Sequence, residues 1–399
     1  MCGVDLSVSI AGVDFKNPII LASGPPTLSA EHIVKCIKAG AAGAVTKTIT
    51  YDVVQRVQPK PRMFVLNSED ALRNKFYSLY SVDLMSEYEP EKWFDAIRKL
   101  KEEVRNQGGV VIASIAGRDL EEWEKLAKLV DSANADMIEL NLSCPHIDRG
   151  VLMGRAVTSD LRSISEVVRA VKGSAALPVI GKLTPHGANP LDLAKTMVSS
   201  GIDAIVSTAR FQGLIVDVST MRPILWGGFG GYGGPWQLPI SIGWTAHIAM
   251  EGLGVPIIGS GGVSTWEDVI KFILVGASAI QLCTVVMIKG VDVLPEMIEN
   301  VKRWMAEMGF HNVRDFIGIA LKSITPLEKL ERRKIYTPHI DKTRCTNCGI
   351  CVRICPYGAL YFEGASRAGV PNIDKAKCDC CGFCASVCPV KAIRLERIE

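Results

Sequence analysis

A chain of 399 residues is too long for a small electron carrier alone and long enough for one large domain or two or three modest ones. Its 48% hydrophobic and 22% charged residues read as globular with a large core, and a net charge of +3 gives no argument for nucleic acid or an anionic membrane surface. No apolar run reaches membrane-spanning length without a charge or a Gly/Pro break, and a start carrying Asp5 and Asp14 lacks the basic-then-apolar pattern of a signal peptide.

In chain order, short β-rich apolar runs alternate with longer amphipathic stretches. A strand over 19–23 precedes a helix over 30–39, and a strand over 44–48 precedes a helix over 90–107. The same pairing recurs at 110–116 with 120–133, 137–143 with 160–171, and 179–183 with 190–200. It recurs again at 204–208 with 240–252, 256–260 with 265–276, and 279–284 with 295–308. Ser264 and Asn189-Pro190 read as helix starts. Eight such units predict a TIM (β/α)8 barrel; a doubly wound open sheet is the runner-up. Three connections are long, 51–89, 145–159 and 210–239. Each follows a strand and so belongs to the face where barrel sites are built. The charged stretch 325–341, punctuated by Pro326 and Pro338, reads as a linker. The expected division is a barrel at 1–324, a linker at 325–336 and a ferredoxin-like domain at 337–399.

That last domain holds the sharpest motif. Cys345, Cys348, Cys351 and Cys355-Pro356 repeat as Cys378, Cys381, Cys384 and Cys388-Pro389. Three cysteines at steps of three plus a Cys-Pro wrap a [4Fe–4S] cubane, with the fourth ligand crossing to the other run. Cys345, Cys348, Cys351 and Cys388 should hold one cluster; Cys378, Cys381, Cys384 and Cys355 should hold the other. Zinc ribbons, which use separated pairs, and disulfides are the rival readings. Cys380 is a spare small residue. Of 13 cysteines the remaining five are scattered, which argues against a disulfide framework and for the cytosol. Two clusters imply the passage of single electrons.

Strand-end residues of the barrel carry the other chemistry. The fourth strand ends Glu139-Leu140-Asn141-Leu142-Ser143-Cys144-Pro145-His146. A thiol there can act as acid or base on a substrate carbon, although a free cysteine is commonly an inert buried residue. Lys47 and Lys182 lie inside strands and need an electron-rich cofactor or a carboxylate such as Glu139. A flavin fits, because a cation stabilises its reduced form. Gly261-Gly262 after the seventh strand and Cys283-Thr284 after the eighth match the phosphate site of such barrels. The segment 227–234 (GGFGGYGG) lacks Lys-Ser/Thr and is no P-loop; it reads as a close approach to a flat ligand or as a mobile loop. No G-x-G-x-x-G follows a strand, so no NAD or FAD site of the usual kind is found. Clusters move one electron and hydride chemistry moves two; FMN does both.

These motifs resemble the dihydroorotate dehydrogenase superfamily. With the appended cluster domain the chain is most similar to the FMN and iron–sulfur part of dihydropyrimidine dehydrogenases. The resemblance rests on Ala22-Ser23-Gly24, Thr46-Lys47-Thr48, Asn67-x-Glu69, the NLSCPH run at 141–146, Lys182, Gly261-Gly262 and Cys283-Thr284. It implies that Ala22, Ser23, Lys47, Thr48, Asn141, Lys182, Gly234, Gly261, Gly262, Cys283 and Thr284 contact FMN. It implies that Asn67, Glu69, Asn141 and Ser143 face the substrate ring, and that Cys144 is the catalytic acid beside Lys47. The family's Asn pair after the sixth strand is absent; Ser207-Thr208-Ala209-Arg210 stands there, and Arg210 could meet a carboxylate or phosphate.

The expected function is reduction of a C=C bond conjugated to a carbonyl, the 5,6 bond of a pyrimidine. Alternatives are the reverse oxidation of a dihydropyrimidine and an electron-wiring subunit with a degenerate barrel. Electrons should arrive from an FAD/NAD(P)H-binding partner subunit or a ferredoxin, in a homodimer or larger assembly.

Overall fold

Apolar runs rich in β-branched residues form eight parallel strands: β1 (Ile19–Leu21), β2 (Gly43–Val45), β3 (Val110–Ile115), β4 (Met137–Asn141), β5 (Val179–Lys182), β6 (Ala204–Val206), β7 (Ile257–Ser260) and β8 (Ala279–Leu282). This is a computed structural model, described over residues 3–71, 76–143, 152–153, 158, 160–333, 336–364 and 369–398. β8 pairs with β1, so the sheet closes and has no edge. The fold is a TIM barrel and not an open sheet. All six residues of β3 (VVIASI) are buried, as a strand covered on both faces requires.

Each strand feeds a helix: α1 (Ala30–Lys38), α2 (Pro90–Arg105), α3 (Leu120–Ser132), α4 (Leu161–Ser174), α5 (Pro190–Ser199), α6 (Leu238–Met250), α7 (Trp266–Leu274) and α8 (Val293–Met308). In α2 the buried residues Trp93, Ile97, Leu100 and Val104 recur every three or four positions, which puts them on one core-facing stripe. Asp119 caps α3 by accepting from the Glu122 N–H at 2.9 Å, and Asn189 caps α5 by accepting from the Leu191 N–H at 2.9 Å. The cap of α7 is Thr265, one residue later than expected, because Ser264 bonds instead to the Asp268 carboxylate through its N–H and hydroxyl. A hairpin of Val8–Ile10 and Val13–Phe15 precedes β1. Phe15 lies so close to Gly43 that a Cβ there would meet its ring at 2.9 Å, so the hairpin packs at the strands' N-terminal end.

Over the other end stands an antiparallel sheet of four strands in the order Phe211–Gly213, Gly230–Gly233, Ser78–Ser81, Met63–Leu66. Two of the long connections, after β2 and after β6, therefore pair with each other as a lid. The glycine-rich segment is a central strand of that lid, not a mobile loop. Glycine is needed there because a Cβ at Gly230 would sit 2.6 Å from the Tyr80 ring, and one at Gly231 would sit 2.6 Å from the Arg210 guanidinium carbon. The third long connection lies largely outside the described residues.

The chain divides into Met1–Ile324 and Thr325–Glu399. In the second unit Tyr336–Ile340 pairs with Ile393–Arg397, and Leu360–Tyr361 with Asn372–Ile373. Short helices Ile350–Ile354 and Phe383–Ser386 each begin after a left-handed glycine, Gly349 (φ 69°) and Gly382 (φ 81°). No helix among the described residues is long and apolar enough to cross a membrane.

Candidate active site and cluster cages

Parallel strands bring all their C-terminal ends to one mouth, and the residues there line a single cavity. Ala22 and Ser23 come from the end of β1, Lys47 and Thr48 from β2, Asn141 and Ser143 from β4, and Lys182 from β5. Gly261 and Gly262 come from β7, Cys283 and Thr284 from β8, and Arg210 and Gly234 from the lid connection. These positions, named from sequence, converge. Asn67 and Glu69 do not: both are exposed and outside the cavity lining. Asn67 takes a left-handed turn (φ 58°) after the outer lid strand Met63–Leu66. The same polar-x-acid spacing recurs at Ser81-Val82-Asp83 on the adjacent strand, and Ser81 and Asp83 line the cavity. Cys144 lies outside the described residues.

The lysines have carboxylate partners as well as a cavity. Lys47 Nζ donates to Asp83 Oδ2 at 2.5 Å, and Arg62 Nε donates to Asp83 Oδ1 at 3.1 Å. Burial pushes the Asp83 carboxyl up, but Lys47, Arg210 and Arg62 outweigh it and hold the group below its usual range. Lys182 Nζ donates to Gln281 Oε1 at 2.7 Å and lies 3.4 Å from Glu139 Oε1. Gln281 Nε2 in turn donates to Glu139 Oε2 at 2.5 Å, which completes a polar layer inside the barrel. The carboxylate alternative for Lys182 thus holds, and it leaves both carboxylates of the lining, Asp83 and Glu139, engaged by cations. Thr48 Oγ1 joins the strand ends: it receives Asn141 Nδ2 at 2.9 Å and lies 3.2 Å from Ser23 Oγ.

Arg210 lies against Gly231 and bonds Ser81 Oγ. Gly261 (φ 97°) and Gly262 (φ 85°) have left-handed backbones, and a Cβ at either would collide at 2.3 Å with Gln237 or with the start of α6. Burial raises the Cys283 thiol, which keeps it neutral. Tyr77 is fully buried, lines the cavity, and its hydroxyl has no partner among the described residues. An elongated anionic flavin fits this donor set: an orphan hydroxyl, glycine clearance, and no unpaired carboxylate.

Sequence reasoning missed Tyr77, Asp83, Gln237 and Gln281. The signal for Asp83 was its spacing from Ser81; nothing local marked the others.

In the second unit two smaller cavities each collect four expected ligands. One is lined by Cys345, Cys348, Cys351 and Cys388, the other by Cys378, Cys381, Cys384 and Cys355. The crossing cysteines are held alike: Cys355 Sγ accepts from the Ala359 N–H at 3.4 Å and Cys388 Sγ from the Ala392 N–H at 3.2 Å. Among the described residues no three ligating groups close on a single ion. Cys380 also borders the second cavity, with its thiol on the Tyr336 carbonyl.

Residues 5–305 match the family model for dihydroorotate dehydrogenase, and residues 344–392 match that for a 4Fe-4S dicluster domain. The NAD-dependent dihydropyrimidine dehydrogenase subunit PreA of Escherichia coli K12 is 33% identical over 358 residues, 88% of this chain and 85% of the relative. The catalytic subunit of dihydroorotate dehydrogenase B (NAD(+)) from Pyrococcus abyssi is 35% identical over 317 residues, 79% of this chain and 99% of the relative. Its counterpart from Thermoplasma acidophilum is 29% identical over 321 residues, 80% of this chain and 99% of the relative. Such a barrel implies FMN, and the cysteine unit a [4Fe–4S] cluster. With a matched region that spans the whole barrel, the chain belongs to the dihydroorotate dehydrogenase family of flavin-dependent oxidoreductases.

Proposed function

We propose that this iron–sulfur flavoenzyme reduces a C=C bond conjugated to a carbonyl, the 5,6 bond of a pyrimidine, in a catalytic unit at 1–324. Electrons enter through two [4Fe–4S] clusters in a unit at 337–399, joined by a linker at 325–336. The observation that carries this reading is the cavity at the barrel mouth, with its paired lysines and polar lid, in a chain that also holds two four-cysteine cages. Bound FMN would take electrons singly and supply them as a pair to carbon. Asn141 and Ser143 would orient the substrate ring from the barrel, and Ser81, Asp83 and Arg210 from the lid. Cys144 would deliver the proton to the carbon beside the one reduced. Lys47, held by Asp83, would fix positive charge at the cavity floor.

The dihydroorotate dehydrogenase B subunits support a second reading, oxidation of a dihydropyrimidine. Those relatives are matched over nearly their whole length by a stretch the size of the barrel alone, whereas the match to PreA covers 358 residues. The longer match favours the dihydropyrimidine dehydrogenase reading. PreA is named as a subunit, which supports a partner that brings FAD and NAD(P)H; a ferredoxin is the other donor. Assembly as a homodimer or larger complex in the cytosol completes the proposal.

The test is anaerobic. The purified chain should carry FMN and about eight iron atoms, as two cubanes require. After chemical reduction, uracil, orotate or a cyclic enone should reoxidise the flavin. Zinc in the cages, or a reduced flavin that no such acceptor reoxidises, defeats the proposal. NADH without a partner protein should not bleach the flavin.

A further inference from the structure

The lid touches the cavity through a residue that no motif marks. Tyr77 precedes the central lid strand Ser78–Ser81 and is fully buried. Its hydroxyl is orphaned among the described residues, while the side chain lines the cavity. A buried donor left without an acceptor is costly, so a structure that keeps one has a use for it.

The surroundings say which end of the cavity it serves. A Cβ at Gly234 would lie 2.3 Å from the Tyr77 carbonyl oxygen, and Gly234 leads into Gln237, whose amide packs on Gly261. Asp268 and Cys283 are the charged or ionisable groups whose fields reach the Tyr77 hydroxyl. Asp268 binds the Ser264 and Thr265 N–H groups after β7, and Cys283 ends β8. Tyr77 therefore stands over the β7 and β8 ends, where such barrels hold a phosphate. Burial raises its phenol, so it is a hydrogen-bond donor at neutral pH.

We propose that the Tyr77 hydroxyl donates a hydrogen bond to the phosphate of bound FMN, so that the lid grips the cofactor by its anionic end. This rests on the reading that FMN occupies the cavity. Tyr77 is then a positioning residue that ties lid closure to cofactor binding.

The experiment compares two flavins that differ only in the phosphate. The full-length chain is stripped of flavin anaerobically, and FMN or riboflavin is rebound while flavin fluorescence is followed. Tyr77→Phe keeps the ring and removes only the hydroxyl. FMN affinity should fall roughly 10- to 100-fold, as loss of a hydrogen bond to a charged group implies, with riboflavin affinity unchanged. The 31P resonance of FMN bound at saturation should also differ between wild type and variant. An equal fall for both flavins, an unaltered FMN affinity, or an unshifted 31P resonance overturns the assignment. A wild-type chain that binds neither flavin would instead defeat the FMN reading, and this inference with it.

Discussion

The two units of the chain are stabilised by different means. The barrel unit has a continuous apolar core running from Val8 to Phe316. In Thr325–Glu399 the buried apolar residues among those described are Ala359, Leu360, Ala392, Ile393 and the prolines Pro338 and Pro371. So few side chains cannot offset the ordering of a unit this size, and small domains of that kind need a metal or disulfide staple. The difference teaches that the two cofactor types stand in opposite relations to folding. On the proposed reading, iron–thiolate bonds would take the place of a core in the second unit, whereas flavin would enter a barrel that is already built.

The largest effect should follow from removing iron. Chelation under air should abolish the protease resistance of 337–399 and leave the barrel intact by circular dichroism. A stripped cluster unit that stays protected would break the comparison. Cys355→Ala sharpens it: the cluster lost should be the one bound by Cys378, Cys381 and Cys384, visible as loss of about half the iron. Loss of the other cluster would mean that the ligands do not cross.

Within the barrel, Asp83→Asn should cost about 3–5 kcal/mol in denaturant unfolding, because Lys47 and Arg62 lose their common carboxylate. The folded Asp83 carboxyl lies below its ordinary value of 3.8, so its contribution is complete above that pH and fades as pH falls through the lower folded value. The gap between wild type and variant should close in that acidic window. An unchanged gap would show that the pair is not the cause. Iron removal should leave this gap intact if the two units are stabilised separately.

Cys144→Ala should lower turnover roughly 100-fold, the share of a positioned general acid, with stability and FMN content unaltered. Cys144→Ser should keep a little activity. Near-normal turnover would make the thiol structural. The smallest effect is local: Asp119→Ala removes the cap of α3 and should lower barrel stability by about 1 kcal/mol, without touching iron or flavin. A loss of iron in that variant would show coupling between the units that the comparison denies.

How much of this was legible depends on how local its cause is. Strands such as Val110–Ile115 are readable because burial on both faces demands an unbroken apolar run. β2 ends at Val45, not at Thr48 as the pattern suggests, since after Thr46 the Lys47 N–H turns to the Thr27 carbonyl at 3.0 Å and Lys47 and Thr48 line the cavity. The lid was not legible. Its strands are three or four residues long, and the partners of Gly230–Gly233 lie near residues 80 and 212. Nothing within a local window joins them, and glycine argues against a strand. The resemblance pointed to Asn67 and Glu69, which lie outside the cavity lining; Ser81 and Asp83, at the same spacing, line it, and only the sheet order decides which pair faces the barrel. The grouping of the cysteines was legible because their spacing in the two runs sets which of them share a cavity.

The crossing cysteines bear on how the protein matures. Each run contributes three cysteines to one cavity and one to its neighbour, so neither cage is closed by one run alone. During synthesis the first cage stays one corner short until Cys388 has left the ribosome, although Cys345, Cys348 and Cys351 emerge long before. On the proposed reading, iron that met Cys345, Cys348 and Cys351 alone would find a site one corner short, so each cluster would need both runs before it is complete. A chain that stopped before Cys378 would then complete neither cage, although each would have some of its cysteines.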